Sequence, residues 1–266
     1  MNWELLTAPD FQSAVTTSKG VCLLPMGVLE KHGDHLPIGQ DMLYTHAVAC
    51  LAAEKEPAVV FPPYPFGQIF EARHQPGTIA LRSGLLLEVL ESVCGEISRN
   101  GLPRIIIVNG HGGNSKMLAY FCQLMLERER DYQVYLSDVF AGSPQTSGLL
   151  TAKVDGHAGE AETSCMLSLR PDLVHPGEER PYGAPRGRLD TLKKVGLYSG
   201  LLWYSDHPGH FCSDGTPGTA AKGKVLVDAH VRQIVRQIKA VKKDRRTRVL
   251  SAQFQRRARK PVCLTH

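Results

Sequence analysis

The stretch Gly27-Val-Leu-Glu-Lys-His-Gly-Asp-His-Leu-Pro-Ile-Gly39, followed closely by Asp41, decides the fold that we expect for this chain. An apolar run at residues 21–25 precedes it and predicts a short buried strand. A helix predicted for residues 41–53 follows it. Strand, loop and helix in this order are typical of a layered α/β domain.

The same stretch concentrates side chains that bind metal ions, because Glu30, His32, His35 and Asp41 lie within twelve residues. Carboxylate oxygen and neutral imidazole nitrogen are ligands of zinc, manganese and iron. Alternate residues of an extended segment point to the same side, so Glu30 and His32 reach one pocket while Lys31 faces away. An aspartate at a helix start is also an ordinary N-cap. Taken together, the four residues nevertheless predict a divalent metal site.

Length and composition favour one large domain, because the chain has 266 residues, 42% of them hydrophobic. We expect a single α/β domain at residues 1–241 and a basic tail at residues 242–266. No segment approaches the roughly 20 apolar residues that span a bilayer, and the first residues lack signal-peptide character, so we expect no membrane partner. Seven cysteines without a C-x-x-C pair are typical of a reducing cytoplasm.

The positive charge belongs to the tail. Residues 239–260 hold ten Lys and Arg against one acid, Asp244, a balance of +9 that leaves the rest of the chain at −4 from the total of +5. Clustered positive charge attracts nucleic-acid phosphates, which keeps nucleic-acid binding as an alternative. With Phe254 as the only aromatic residue in the tail, we favour a solvated helix surface.

Apolar strands and amphipathic helices alternate along the remaining chain. Strands are predicted at residues 58–62, 104–108 and 132–137, and helices at 83–100 and 114–130. A further helix ends near residue 171, and the last one begins around residue 224 and runs into the tail. Residues 172–224 lack periodicity, and a segment this long is typically a lid or a subunit contact.

Two more polar clusters follow predicted strands or open a helix, namely Asn109-Gly-His-Gly-Gly-Asn114 and His157-Ala-Gly-Glu-Ala-Glu-Thr-Ser164. Ligands gather at the carboxyl ends of parallel strands, so we expect these clusters to join the first one. The glycine-rich loop would alternatively cradle a phosphate at a helix N-terminus, although the Walker pattern is absent. His157 and Glu160 lie three residues apart and can face one cavity. Glu162 is explained by the positive helix end.

These three motifs, in this order, resemble those of the creatininase (creatinine amidohydrolase) family. Its pattern G-x-x-E-x-H-G-x-H-L-P, then Asp, N-G-H-G-G-N and H-A-G-x-x-E-T-S lies between residues 25 and 165. The resemblance implies a three-layer α/β/α sandwich with a mostly parallel sheet, in a homo-oligomer for which a hexamer is favoured. It also implies two divalent metal ions per subunit, which would be zinc, manganese or iron.

The resemblance assigns a role to each matching residue. Glu30 and His111 would hold one ion. His32 and Glu160 would hold the other. Asp41 would bridge both ions, and His157 would move protons beside them.

The chain departs from the family where creatininase has its second-metal carboxylate, because Gly113 stands there. We expect Glu160 to replace that group, and the departure argues against creatinine itself as substrate. The segment at residues 67–72 keeps Glu71 but loses the Ser and His of the family pattern. Glu71, His35 and Asn114 are the expected substrate contacts.

The implied function is a metal-dependent amidohydrolase that cleaves a carbon–nitrogen bond, other than a peptide bond, in a small cyclic or linear amide with a metal-activated water. The nearest alternatives are a deformylase and a hydrolase of an oxidised polyol ring. A catalytically silent metal-binding scaffold subunit is the alternative outside the enzymes. We assign no role to four further histidines, His74, His175, His207 and His210, which we expect in loops or interfaces, with His207 and His210 as candidates for the border of the pocket.

Overall fold

A parallel sheet forms the centre of the molecule. The computed structural model describes residues 1–138, 148–179, 184–261 and 263, and part of the loop predicted before His157 lies outside them. The strands of this sheet are β1 (Val21–Met26), β2 (Val59–Val60), β3 (Arg104–Asn109) and β4 (Gln133–Asp138). They are arranged in the order β2-β1-β3-β4 with every pair parallel. Met26 pairs with Asn109, so the carboxyl ends of β1 and β3 lie side by side.

Helices cover both faces of this sheet. On one face lie α2 (Gln40–Lys55), α5 (Glu160–Leu169) and α8 (Ala220–Lys243), and on the other α1 (Ala8–Thr17), α3 (Ser83–Arg99) and α4 (Asn114–Leu124). The short helices α6 (Asp190–Lys194) and α7 (Leu202–Asp206) lie between α5 and α8 in the chain, and α9 (Arg246–Ala258) follows α8. The predicted three-layer α/β/α architecture is confirmed.

The alternation of side chains along β1 explains the two hydrophobic cores. Val21 and Leu23 pack into the core shared with α2, α5 and α8, whereas Cys22 and Leu24 pack into the core shared with α1, α3 and α4. Every residue of β1 is buried. A strand covered by helices on both faces must be apolar throughout rather than alternating, which is why the apolar run predicted it correctly.

Several element boundaries differ from the predictions. Helix α1 was not predicted, β2 has only two residues, and α4 ends at Leu124 rather than near residue 130. After α4 the chain turns, and Arg130 donates a hydrogen bond from Nη1 to the carbonyl of Met125 at 3.1 Å. The start of α8 at Ala220 follows from the Thr219 hydroxyl, which accepts a hydrogen bond from the Lys222 amide.

Helix α8 ends at Lys243, so the first two residues of the basic tail belong to it and the rest do not. Asp244 adopts an extended conformation after α8, and its Oδ1 accepts hydrogen bonds from the amides of Arg246 and Thr247, which start α9. Gln255 of α9 donates to the carbonyl of Leu126 at 2.9 Å, so the tail helix packs beside the end of α4. Residues 262 and 264–266 of the predicted tail lie outside the described residues. Among the described residues, no helix combines the length and apolar character needed to cross a membrane.

Candidate metal centre

Two glycines at the strand ends allow the first turn of α2 to approach the sheet. A side chain at Gly27, just after β1, would lie 2.3 Å from the Met42 amide nitrogen. A side chain at Gly110, just after β3, would lie 1.6 Å from the Thr45 hydroxyl. Because both positions lack a Cβ, α2 reaches the carboxyl ends of both strands and brings Asp41 between them. Asp41 lies in the first turn of α2 and does not cap the helix, since Gly39 occupies the N-cap.

Glu30, Asp41 and His111 form the first part of the site. Nδ1 of His111 lies 2.7 Å from Oε1 of Glu30 and 3.0 Å from Oδ2 of Asp41. All three side chains are buried. The predicted convergence of the first two motifs is therefore present in the structure.

His32, Glu162 and His157 form the second part of the site. Nε2 of His32 lies 2.9 Å from Oδ1 of Asp41 and 3.8 Å from Oε2 of Glu162. The ring centroids of His32 and His157 are 4.4 Å apart. Ligand atoms of His32, His157 and Glu162 lie close enough together to hold one metal ion, as do those of the first part. The carboxylate of Asp41 connects the two parts, one oxygen facing each.

Backbone carbonyls orient both metal-facing imidazoles. Nδ1 of His32 lies 3.2 Å from the carbonyl of Glu30, and Nε2 of His111 lies 3.1 Å from the carbonyl of Gln68. A carbonyl only accepts, so each of these nitrogens carries the proton when the ring is neutral. The other nitrogen of each ring then directs its lone pair at the carboxylates. Histidine ligands of protein-bound metals are usually oriented by such a hydrogen bond from the second ring nitrogen.

The donor set fits divalent cations. Oε1 of Glu30, Nε2 of His32 and Oδ2 of Asp41 are buried and have no well-aligned hydrogen bond to any of the described residues. Burying a polar atom without a partner costs free energy. An imidazole lone pair and a carboxylate oxygen also repel each other unless a positive charge lies between them. A distance of about 3 Å between donor atoms is expected for neighbouring ligands whose bonds to the metal are about 2 Å long. The residues present therefore fit metal ions.

Without metal, the carboxylates strongly perturb the histidines. Burial lowers the pKa of His32, but the carboxylates of Asp41 and Glu162 outweigh burial and raise this pKa to about 10. The pKa of His111 is likewise raised well above its usual value, since Glu30 and Asp41 outweigh its burial. Burial and the neighbouring His32 instead lower the pKa of His157 to about 3. His157 is thus neutral near pH 7. The surroundings of His32 and His111 instead favour a positive charge, either a bound proton or a metal cation.

The structure corrects the expected position of Glu160. Its buried carboxylate accepts hydrogen bonds from the amides of Thr151 and Ala152, at 2.7 and 2.6 Å, and pairs with the Lys222 ammonium. It does not face the cavity of the metal centre. The first turn of α5 turns Glu162 toward His32 instead, and the Ala158 amide donates to Oε2 of Glu162 at 2.6 Å. The bond from Ala158 agrees with the explanation of Glu162 by the helix end, and the approach to His32 adds a second contact to it.

Two of the three expected substrate contacts are structural. His35 is buried, and its Nε2 lies 2.8 Å from the Thr163 hydroxyl, where it joins the first motif to α5. Asn114 is buried and accepts the Gln68 amide through Oδ1 at 2.8 Å, which holds the segment after β2 against α4. Glu71 alone lines the cavity, and Gln68 donates to its Oε2 at 2.8 Å.

The space beside Gly113 explains how the chain tolerates the missing carboxylate. A side chain at this position would come within 2.9 Å of His111, Gln68 and Glu71. Gln68 and Glu71 therefore occupy the volume into which a residue 113 side chain would extend. Glycine is required here for space, since every larger residue would displace the imidazole of His111.

Sequence reasoning missed the role of His210. It is buried, and its Nε2 lies 2.5 Å from Oε2 of Glu30. The Trp203 indole N–H donates to Nδ1 of His210 at 3.1 Å. Both residues belong to the segment without periodicity, so no pattern identified them. The only signal was the density of His and aromatic residues between Trp203 and His210.

Two neighbouring cavities lie at these residues. The inner cavity, of about 500 Å³, is lined by Glu30, Asp41, His111, His157 and Glu162 among others. The outer cavity, of about 1090 Å³, is lined by aromatic and polar residues that include Phe70, Tyr198 and Tyr204, with Lys116 at its edge. Glu71, Gly112, Gly113 and Trp203 line both cavities. These four residues therefore lie at the boundary between the two cavities.

The family model described as creatinine amidohydrolase matches residues 4–238. The chain belongs to the creatininase family. It is 31% identical to creatinine amidohydrolase of Pseudomonas putida over 187 residues, which cover 64% of this chain and 72% of that protein. It is 32% identical to the mycofactocin precursor peptide peptidase of Mycolicibacterium smegmatis over 231 residues, which cover 84% of this chain and 86% of that protein. The expected class, a hydrolase that acts on carbon–nitrogen bonds, is confirmed for this creatininase-family chain.

Solved creatininase structures share the fold and contain metals. A manganese form is 25% identical with a TM-score of 0.74, and the match covers 91% of this chain and 99% of that one. A variant in a zinc–zinc form is 25% identical with a TM-score of 0.75, and the match covers 91% of this chain and 98% of that one. These family members thus use the metals that the donor set here would accept.

Proposed function

We propose that this creatininase-family protein is a dinuclear-metal amidohydrolase that cleaves a carbon–nitrogen bond of an amide. One observation carries the proposal. The two oxygens of Asp41 face different histidines, His32 at 2.9 Å and His111 at 3.0 Å, and each histidine offers a lone pair oriented by a backbone carbonyl. This arrangement serves two cations that share one carboxylate.

The ligand set follows from the contacts. Glu30 and His111 would hold one ion, His32 and Glu162 the other, and Asp41 both. Glu162 thus takes the place that the resemblance had given to Glu160. Divalent cations bound there supply Lewis acidity, which lowers the pKa of water and polarises a carbonyl oxygen.

His157 is suited to move the proton that amide cleavage requires. Its Nε2 lies 3.9 Å from Oε2 of Glu30 and 2.6 Å from the Lys31 carbonyl, which orients the ring over the carboxylates. The Lys31 carbonyl accepts a hydrogen bond from Nε2, so in the neutral ring Nδ1 carries the lone pair that takes up a proton formed in the site. It can then return this proton to the departing nitrogen, which is a poor leaving group without one.

The size of the outer cavity favours an amide within a larger molecule over a ring of the size of creatinine. A single small ring would fill only part of the inner cavity of about 500 Å³, and the outer cavity adds about 1090 Å³ beside it. A linear amide with an apolar or aromatic arm fits both. A peptide-type substrate, as named for the mycobacterial relative, is the second candidate. A deformylase and a polyol-ring hydrolase stay alternatives.

Metal analysis combined with a substrate screen tests the proposal. We expect the purified protein to contain close to two zinc, manganese or iron ions per chain by inductively coupled plasma mass spectrometry. A screen of lactams, cyclic ureides, formamides and short peptides should reveal hydrolysis that a chelator abolishes and added metal restores. The variant His157→Gln should keep the metals and lose most of the activity.

Two outcomes would contradict the proposal. Hydrolysis that persists in chelator-treated, metal-free protein would remove the metals from the mechanism. Full metal content without turnover of any amide would favour the metal-binding scaffold subunit. The hexameric assembly and the cytoplasmic location stay predictions, and the assembly can be checked by the mass of the native particle in solution.

A further inference from the structure

His210 contacts the metal centre from outside the three sequence motifs. Its side chain is buried, with 1% of its surface exposed, and it approaches Oε2 of Glu30, the oxygen that does not face His111. The residue comes from the segment between α7 and α8. A part of the chain that showed no periodicity therefore completes the surroundings of a predicted metal ligand.

The hydrogen bonds determine which nitrogen of His210 carries the proton. The indole N–H of Trp203 can only donate, so Nδ1 of His210 accepts it and has no proton. Nε2 of the neutral ring must then carry the proton, and it donates to Oε2 of Glu30 at 2.5 Å. The three residues form a chain of hydrogen bonds that all point in one direction, from Trp203 to His210 to Glu30.

This polarity argues against His210 as a metal ligand. Ligand atoms of Glu30, His157 and His210 lie close enough together to hold an ion. Nε2 of His210 has no lone pair available for a cation, however, as long as Trp203 donates to Nδ1. The contact instead leaves Oε1 of Glu30 free to face Nδ1 of His111.

The backbone conformation at His210 indicates that this position needs the histidine side chain. His210 has a φ of +53°, a left-handed conformation that glycine adopts more readily than histidine. Residues in this region cost free energy and persist where surrounding contacts hold them. The contacts with Trp203 and Glu30 hold His210 together with the hydrogen bond from its amide to the His207 carbonyl at 2.9 Å.

We propose that Trp203 and His210 act as a positioning pair that fixes the carboxylate of Glu30 for metal binding. The pair touches neither the ions nor the scissile bond and acts through Glu30. Because Trp203 also lines the outer cavity, the pair connects the substrate-accessible surface to a metal ligand. This inference depends on the proposed metal centre.

The test measures metal affinity in folded protein. Zn²⁺ and Mn²⁺ dissociation constants are determined by competition with a chromogenic chelator for the full chain and for His210→Gln and His210→Gly. Loss of a group that orients a ligand typically weakens metal binding by about 10- to 100-fold. We expect such a loss in His210→Gly and a smaller one in His210→Gln, whose amide can still donate to Glu30.

The two substitutions separate positioning from misfolding. Glycine suits the backbone at this position, whereas loss of the buried imidazole lowers stability, so circular dichroism and the thermal unfolding midpoint of metal-free His210→Gly establish that affinity is measured on folded protein. The matched control, His175→Gln, makes the same exchange at an exposed histidine and should leave metal affinity unchanged. With any substrate found in the screen, we expect kcat to fall at saturating metal with little change in KM.

A second substitution tests whether the two residues act together. Trp203→Phe keeps an aromatic ring but removes the N–H donor, and it should weaken metal binding by a few-fold. In the His210→Gly background, the same exchange should have no further effect, because the hydrogen bond is already absent. Equal effects in both backgrounds would mean that Trp203 acts by packing alone.

The outcomes distinguish this inference from the proposed function. If the unchanged protein binds no Zn²⁺ or Mn²⁺, the proposed metal centre fails. If it binds them and His210→Gly binds equally tightly, the metal centre stands and the positioning pair is wrong. Loss of one whole ion equivalent in both His210→Gly and His210→Gln would identify His210 as a ligand, which also overturns the positioning role.

Discussion

Single side chains decide the chemistry of this site, and Glu160 and Glu162 show how closely. Both stand in the first turn of α5, two residues apart, and both are acids near a positive helix end. The helix turns them to different sides, so one meets Lys222 and the other meets His32. Spacing within a motif could not distinguish them, because the direction of each side chain depends on where α5 begins.

Exchanging each acid for its amide tests this assignment. We expect Glu162→Gln to reduce the bound metal from about two ions to one per chain, with little change in stability, because the amide oxygen can still accept from Ala158. Glu160→Gln should keep both ions and lower the free energy of unfolding by about 2 kcal/mol, since it removes a buried charge paired with Lys222.

Metal content by mass spectrometry and urea unfolding of the two proteins give the comparison. The reverse pattern, with an ion lost in Glu160→Gln and retained in Glu162→Gln, would restore Glu160 as the ligand.

At the scale of elements, close contacts between helices and strands bring the ligands together. Helix α8 packs against α5 at Gly223, where a Cβ would lie 1.8 Å from the carbonyl oxygen of Ser164. This contact places α5, and with it Glu162, at the edge of the sheet where β1 and β3 end. Periodicity predicted that α8 exists, but it could not indicate how closely the helix approaches its neighbour.

Alanine at position 223 should therefore separate the two helices. We expect Gly223→Ala to lower the free energy of unfolding by about 3 kcal/mol, because overpacking at backbone contact cannot be relieved by a side-chain rotation. The control is Gly95→Ala in α3, where a Cβ meets no atom within 4 Å. Alanine is the better helix former, so this variant should be stabilised by about 0.5 to 1 kcal/mol.

Urea unfolding followed by circular dichroism measures both variants. Similar stability of the two proteins would show that α5 and α8 are not in close contact at Gly223.

At the scale of the whole molecule, the core that joins α2 to α8 makes stability depend on pH. His230 of α8 contacts the hydroxyl of the buried Tyr44 in α2. Burial lowers the pKa of His230 to about 4, whereas an unfolded histidine has a pKa of about 6.5. The unfolded chain therefore binds the proton more readily between these values.

We expect the free energy of unfolding to be fully retained above about pH 6.5 and to fall as the pH drops from there toward 4. The contribution of His230 would reach ~3 kcal/mol, at about 1.4 kcal/mol for each unit of pKa shift. His230→Gln cannot titrate but can still accept from Tyr44, so its stability should depend less on pH over this range. Urea unfolding at pH 7, 6, 5 and 4 compares the two proteins. Equal pH slopes would show that His230 does not titrate as described.

The sequence by itself determined a layered α/β domain and most of the residues that form the candidate metal centre. Strands buried on both faces are apolar throughout, and Glu30, His32, Asp41, His111 and His157 stand within motifs whose residue types and spacing are visible in one dimension. Local patterns report local structure, which explains why they indicated the strands and the candidate ligands. The family resemblance added the pairing of ligands with ions, which remains a proposal.

Only the tertiary structure decided which other residues join the site. Glu162 rather than Glu160 lies beside His32, and His35 and Asn114 bond to Thr163 and Gln68. His210 reaches Glu30 from 180 residues away in the chain. These outcomes depend on how helices pack and where an irregular segment returns to the sheet. Helix packing and the return of the irregular segment both depend on contacts between residues far apart in the chain. The periodicity within one segment cannot predict such contacts.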